Sequence, residues 1–281
     1  MGQKKQNKDA KVEAIDSFIQ KTLRHELNTD AGLVVAVIKG ENVMFERAYG
    51  KRDAFRDLPA TTNTPFYIAS VTKSFMGLLV KILEKEGKIN LDEPITKYLG
   101  SDFKFENPKL AASSISIKDL ITHQSGIKND AITWRTSYTG EGANDNELLL
   151  EIFKKSEYST ESFNYTNNGY ILTGIILEKI TGKSWKSLLK EKIFDKLKLN
   201  KTSASPYSDF EYDEPALGHK MEGIKTVLGK AQKQNENSHA AGGIFSSLFD
   251  MEKWLFINMH KGKYNGKQIF PIDWMKEIHE P

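Results

Sequence analysis

Ser70 and Lys73 stand three positions apart at the head of Ser70-Val71-Thr72-Lys73-Ser74-Phe75-Met76-Gly77-Leu78-Leu79, a run whose apolar residues recur at helical spacing. On a helix that interval puts both side chains on one face, about one turn apart and within hydrogen-bonding reach. A serine hydroxyl is a weak nucleophile until a neighbour takes its proton. An amine can take it when burial and nearby positive charge pull its pKa below the usual value of about 10.4. Position at a helix start helps further, because unpaired N–H groups and the helix dipole there favour developing negative charge. The pair is therefore a candidate nucleophile and base for acyl transfer.

Spacing alone is not selective. Ser-x-x-Lys occurs four times, at Ser70, Ser101, Ser125 and Ser187, and a helix cap followed by a solvated lysine spells the same letters. Tyr165-Thr166-Asn167 is the only Tyr-x-Asn in the chain. Taken by themselves, Tyr165 could be an aromatic packed beside a turn and Asn167 a helix cap.

The elements that must carry these residues can be read from periodicity. Val12, Ile15, Phe18, Ile19, Leu23 and Leu27 recur at helical spacing and predict an amphipathic first helix covering a sheet. The apolar runs 33–38 and 43–45, separated by Lys39-Gly40-Glu41-Asn42, predict a β-hairpin. A Thr- and Pro-rich loop then leads through Phe66-Tyr67-Ile68-Ala69 to the Ser70 helix, which should end at Gly87. Helical segments are predicted at 117–121, 147–153, 168–180 and 185–197. From Ala240 the glycine-rich Ala240-Ala241-Gly242-Gly243-Ile244-Phe245 reads as a tight turn into a strand. A helix with Trp254, Leu255 and Ile257 follows, and then a turn at 264–267. Strand-rich ends around a helical middle predict an α/β layer with a helical insertion. Its expected division is residues 1–85 with 240–281 as the sheet part and 86–239 as the helical part of one catalytic unit.

Composition narrows the function. Forty basic residues against 37 acidic ones give a net charge of +3 in 281 residues. The lysines are dispersed, so no nucleic-acid footprint is expected. Without cysteine, disulfides and thiolate chemistry are excluded. No apolar run approaches the roughly 20 residues of a membrane span, and the polar start has no apolar stretch of a signal peptide.

The wider context of Ser70 carries a family resemblance. Residues 66–75, followed by Gly87-Lys88-Ile89-Asn90-Leu91-Asp92-Glu93-Pro94, resemble the nucleophile helix and following turn of the penicillin-recognising serine hydrolases. That family includes class C β-lactamases, D-alanyl-D-alanine carboxypeptidases and related esterases. Leu120-Ile121-Thr122-His123-Gln124-Ser125-Gly126, Tyr165-Thr166-Asn167, and Ala241-Gly242-Gly243-Ile244-Phe245-Ser246 with Asp250 are similar to its later segments, in the same order. The resemblance covers about residues 30 to 280. It implies an α+β fold, an antiparallel sheet flanked by helices with a mostly helical insertion, in which Ser70 is acylated, Lys73 and Tyr165 move the proton, and Asn167 orients the substrate amide. The implied substrate is a β-lactam, a D-amino-acid peptide or amide, or a carboxylic ester, small or peptidoglycan-like, with no cofactor and an extracytoplasmic setting.

One family feature is missing. A third motif, Lys-Thr-Gly or His-x-Gly on a late strand, should supply part of the oxyanion hole. Lys225-Thr226-Val227 lacks the glycine, and His239-Ala240-Ala241 belongs to the glycine turn. The final strands are therefore expected to be absent from this chain, which leaves a fragment or a non-catalytic ligand-binding homologue as the alternative to a working hydrolase. Other motifs are decoys. Thr181-Gly182-Lys183-Ser184 imitates a phosphate loop but has Leu177 where the first glycine belongs, so Gly182 reads as a helix C-cap. His25-Glu26 lacks a second histidine, and no metal site is expected. No Gly-x-Ser-x-Gly elbow occurs. His123 reads as a structural histidine, and Trp134 and Trp185 as either core or cleft.

Overall fold

The computed structural model describes residues 2–211, 214–222, 225–228 and 232–280. Helix α1, Gly2–Lys21, leads through one wide turn to strands β1, Leu33–Lys39, and β2, Asn42–Tyr49. These pair antiparallel from Leu33↔Tyr49 to Lys39↔Asn42, with an irregularity between Val37 and Ile38. Gly40, at φ +60°, makes the reversal that residues with a Cβ rarely adopt. Phe45 is buried, and Tyr49 Oη donates to Asp16 at 2.5 Å, tying the hairpin to α1.

Strand β3, Phe66–Tyr67, runs into helix α2, Thr72–Lys85, the centre of the core. Phe75, Met76, Leu78, Leu79, Val80, Ile82 and Leu83 are all essentially inaccessible. Each such side chain contributes about 1.5–3 kcal/mol on burial, so packing outweighs intrinsic propensity in making this helix. Gly87, at φ +70°, ends the run where predicted.

The middle of the chain is mostly helical, with short strand pairs of Ile127–Lys128 with Glu157–Tyr158 and of His219–Glu222 with Lys225–Leu228. Helix α3, Ile117–Ile121, is opened by a capping box between Ser116 and Asp119. Asp145 caps α4, Asn146–Lys154, and α5 spans Asn168–Thr181, closed by Gly182 in the left-handed conformation as read from sequence. Helices α3 and α5 cross so closely that a Cβ on Gly169 would stand 2.2 Å from the Leu120 carbonyl oxygen. The stretch 185–197 is not one regular helix: a π turn at Lys190–Phe194 separates Trp185–Leu189 from Asp195–Leu197. Leu188, Leu189, Ile193, Phe194 and Leu197 are all buried, and the wider turn keeps both apolar pairs on the core side.

Strands β4, Thr202–Ser203, and β5, Phe245–Ser246, join β3 in a three-stranded sheet with β5 in the middle, Phe245 opposite Tyr67 on one side and Ser203 on the other. The expected strand near 240–245 is thus only two residues long; the glycines before it form a turn. Helix α6, Leu248–Met259, packs against β1 and lays Trp254 on Phe75, ring centroids 3.9 Å apart. Asp250 accepts from Lys201 N at 2.7 Å and from Thr202 Oγ1 at 3.0 Å, so this member of the glycine-turn motif holds β4 in place. Asn265 and Gly266, both at positive φ, reverse the last hairpin. Helices around small antiparallel sheets are the α+β arrangement expected.

Candidate active site

The nucleophile turn is clamped from both sides before α2 begins. Ile68 N donates to Ile244 O at 3.0 Å, and Ile244 N donates back to Thr72 Oγ1 at 3.1 Å. Between these bonds Ala69 is held at φ +47°, a conformation that costs a residue with a Cβ about 1 kcal/mol. The bend leaves Ser70 exposed at the head of the helical stretch, while Lys73, one turn on, is only 7% exposed.

Lys73 Nζ has three oxygen partners, Ser70 Oγ at 3.0 Å, Asn167 Oδ1 at 2.9 Å and the Ala241 carbonyl at 2.8 Å. Three sequence segments far apart in the chain therefore meet on one amine. Asn167 precedes α5 but makes no side-chain cap; its amide oxygen serves Lys73 instead. Burial pulls the Lys73 pKa below the usual lysine range, and interaction with Tyr165 offsets part of that fall.

Tyr165 is 54% exposed, and the centroid of its ring is 4.9 Å from Lys73 Nζ. Burial acts to raise its pKa, but the hydrogen-bonding influence of Lys73 and Ser70 and the Lys73 charge outweigh it, so the phenol lies below the usual tyrosine value. It is aimed by His123. The His123 carbonyl accepts from Asn164 N at 2.9 Å, its Nδ1 accepts from Thr166 N at 3.3 Å, and its ring lies 4.5 Å from that of Tyr165. Burial and the Lys73 charge hold the imidazole pKa down, which keeps Nδ1 free to accept. His123 is buried and hydrogen-bonded, in line with the structural histidine read from sequence, and its bonds hold the backbone on both sides of Tyr165.

The glycine turn contributes what sequence reasoning missed, because its contribution is backbone. Residues 240–244 fold so tightly that a Cβ on Gly243 would stand 2.2 Å from Ser238 Oγ, and the turn presents the Ala241 carbonyl to Lys73. Beneath it His239 is 6% exposed, with Nε2 3.1 Å from Ser137 Oγ and Nδ1 without a partner. Burial, with the Lys233, Lys73 and Lys186 charges, pushes its pKa down to about 3, so it remains neutral. Trp185 belongs to the core, whereas Trp134 is exposed, its ring 5.2 Å from that of Tyr138. Among the described residues no cluster of His, Asp or Glu could hold a metal ion, and no helix is long and apolar enough to cross a membrane.

This arrangement can do general-base chemistry. A neutral amine at Lys73 keeps two N–H donors for Asn167 and Ala241 and turns its lone pair to the Ser70 hydroxyl.

The chain is similar to known proteins over most of its length. The β-lactamase family model matches residues 20–273. The teichoic acid D-alanine hydrolase of Staphylococcus aureus (strain MRSA252) is 29% identical over 252 residues, 88% of this chain and 57% of that protein. Protein flp of Staphylococcus aureus (strain COL) is 27% identical over 245 residues, 86% of this chain and 47% of that protein. Among solved structures, the octameric penicillin-binding protein homologue from Pyrococcus abyssi superposes with a TM-score of 0.76 at 24% identity, covering 94% of this chain and 59% of its own. The chain spans about half the length of the curated relatives it matches.

Proposed function

The chain belongs to the β-lactamase family, and from that premise we propose that it is a serine hydrolase working through an acyl-enzyme on Ser70. Ser70 Oγ attacks the scissile carbonyl as its proton passes to neutral Lys73 Nζ. The proton then reaches the leaving group through the Tyr165 hydroxyl, the bond to the leaving group breaks, and water later releases the acyl group by the same route in reverse. The observation carrying this reading is the convergence on Lys73 of Ser70 and Asn167, with Tyr165 beside them. Asn167 holds Lys73 in line, and the family likeness supports a second role for it in orienting the substrate amide.

The substrate class is a β-lactam, a D-amino-acid peptide or amide, or a carboxylic ester. The name of the related teichoic acid D-alanine hydrolase supports a D-aminoacyl ester among these, and family habit supports an extracytoplasmic, peptidoglycan-like setting. The alternative reading is a homologue, or an incomplete piece of the enzyme, that binds such a ligand without turning it over. Intact-protein mass spectrometry after incubation with a penicillin and with an activated ester separates the two. An adduct on the wild type that is lost in Ser70→Ala supports the hydrolase; no adduct with either probe supports the binding protein.

A further inference from the structure

Among the described residues, Lys233 is a cation with no anion beside it. Its Nζ donates to the carbonyl oxygens of Ser137 and Asn237 and lies 5.3 Å from the Tyr67 ring centroid and 6.0 Å from that of Tyr138. Unlike Lys51, Lys81 or Lys192, it has no carboxylate within ion-pair distance among the described residues. Half-burial lowers its pKa to about 8, so it still carries its charge near neutral pH. Tyr67 cannot serve as its counter-ion, because burial and the neighbouring Tyr138 push that phenol up to about 12.

Lys233 lines a cavity of about 210 Å³ whose other walls include Tyr67, Tyr138, Tyr207, Ala216 and Phe245. The Tyr67 and Phe245 rings lie 5.4 Å apart and make an apolar wall. One wall of the cavity, Tyr67, links it to the nucleophile turn and the glycine turn. Tyr67 is three residues before Ser70, and its Oη lies 3.3 Å from where a Cβ on Gly242 would sit, beside the carbonyl of Ala241 that holds Lys73. Lys233 and Lys73 both act electrostatically on His239, which lies under the same turn.

We propose that this cavity is a substrate subsite of the Ser70 centre, and that Lys233 selects substrates presenting a carboxylate next to an apolar group. The ring walls take the apolar group, and the ammonium, now served by neutral carbonyls and ring faces, gains a charge-assisted hydrogen bond from a carboxylate. A substrate with a free ammonium at that position is repelled. The inference rests on the reading of Ser70 as the reacting centre.

The test is made in the Ser70→Ala chain, where binding is read without turnover. Calorimetry compares N-acetyl-D-phenylalanine with its neutral amide, which keeps the ring and replaces the carboxylate. The carboxylate should bind about tenfold tighter, the preference should fall to near unity with Lys233→Gln added, and Lys233→Arg should retain it. Circular dichroism shows that each variant is folded. An equal preference with glutamine, or no binding of either compound at millimolar concentration, overturns the subsite. Acylation of Ser70 by an activated ester in the otherwise native chain is read separately. Acylation without a carboxylate preference removes the subsite and leaves the hydrolase. The preference without acylation does the reverse.

Discussion

Lys73 Nζ and Asn167 Oδ1 lie 2.9 Å apart although 94 positions separate them in the chain. The contact fixes where the amine points, and it is made by a neutral acceptor that does not favour the ammonium as a carboxylate would. Asn167→Asp should raise the Lys73 pKa by placing a negative charge against it. Acylation of Ser70 at pH 7 should then slow by roughly 10- to 100-fold, recovering as pH rises. Asn167→Ala should slow acylation at every pH without moving the profile upward. Stopped-flow acylation by an activated ester, measured from pH 6 to 10, distinguishes the two.

The pH profile of the native chain follows from the groups around Lys73. The form active as a base is the neutral amine, so acylation should rise with pH and level off below the ordinary lysine value, because burial depresses the Lys73 pKa. Tyr165 interacts with Lys73 in the sense that raises it. Tyr165→Phe should therefore move the rising limb to lower pH while reducing kcat by roughly 100-fold or more through loss of proton delivery to the leaving group. A limb that stays put in the phenylalanine variant would show that the two groups do not titrate together.

Much of this was legible before any coordinates. Ser70 and Lys73 share a helix, so their contact is a matter of local geometry, and Gly87, Gly182 and Gly266 stand at positive φ where turns or helix ends were read. The approach of Asn167 and Ala241 to Lys73 was not legible, because long-range contacts leave no periodicity; the family likeness implied only that Asn167 meets the substrate. The Ala241 contribution is a carbonyl, which every residue has, so no letter marks it. Lys233 was lost among forty basic residues; what singles it out is the lack of a carboxylate nearby among the described residues, and that exists only in three dimensions. The Lys190–Phe194 π turn escaped because Leu188, Leu189, Ile193 and Phe194 fit a helical spacing closely enough to hide the extra residue.

His123 should act on the chemistry through Tyr165 without touching substrate. With His123→Ala the Thr166 N–H loses its acceptor and the Tyr165 ring loses its neighbour at 4.5 Å. Loss of a buried hydrogen bond and packed ring costs about 1–3 kcal/mol of stability. The informative readout is the split between parameters: kcat should fall roughly tenfold or more with KM changed little, and the Tyr165-dependent shift of the pH limb should disappear. His123→Asn, which retains an acceptor near Nδ1, should recover part of kcat. A loss of stability with no change in the pH profile would confine His123 to packing.

Glu252 should make stability depend on pH from a place remote from Ser70. It lies on α6, is 8% exposed, and its Oε1 has no partner. Burial, with a smaller contribution from Glu46 on β2, raises its pKa from 4.5 to about 7. A folded-state pKa above the unfolded value means that the folded chain holds the proton more tightly between about pH 4.5 and 7. That contribution is fully present below the unfolded pKa and is lost as pH rises through the folded one. In Glu252→Gln the group no longer ionises, so the loss should vanish, and the variant should melt a few degrees above the wild type at pH 8. The difference should shrink or reverse at pH 5. Thermal melts of the two chains at pH 5, 6.5 and 8 check this, and parallel curves at all three values would mean that Glu252 keeps an ordinary pKa in the folded chain.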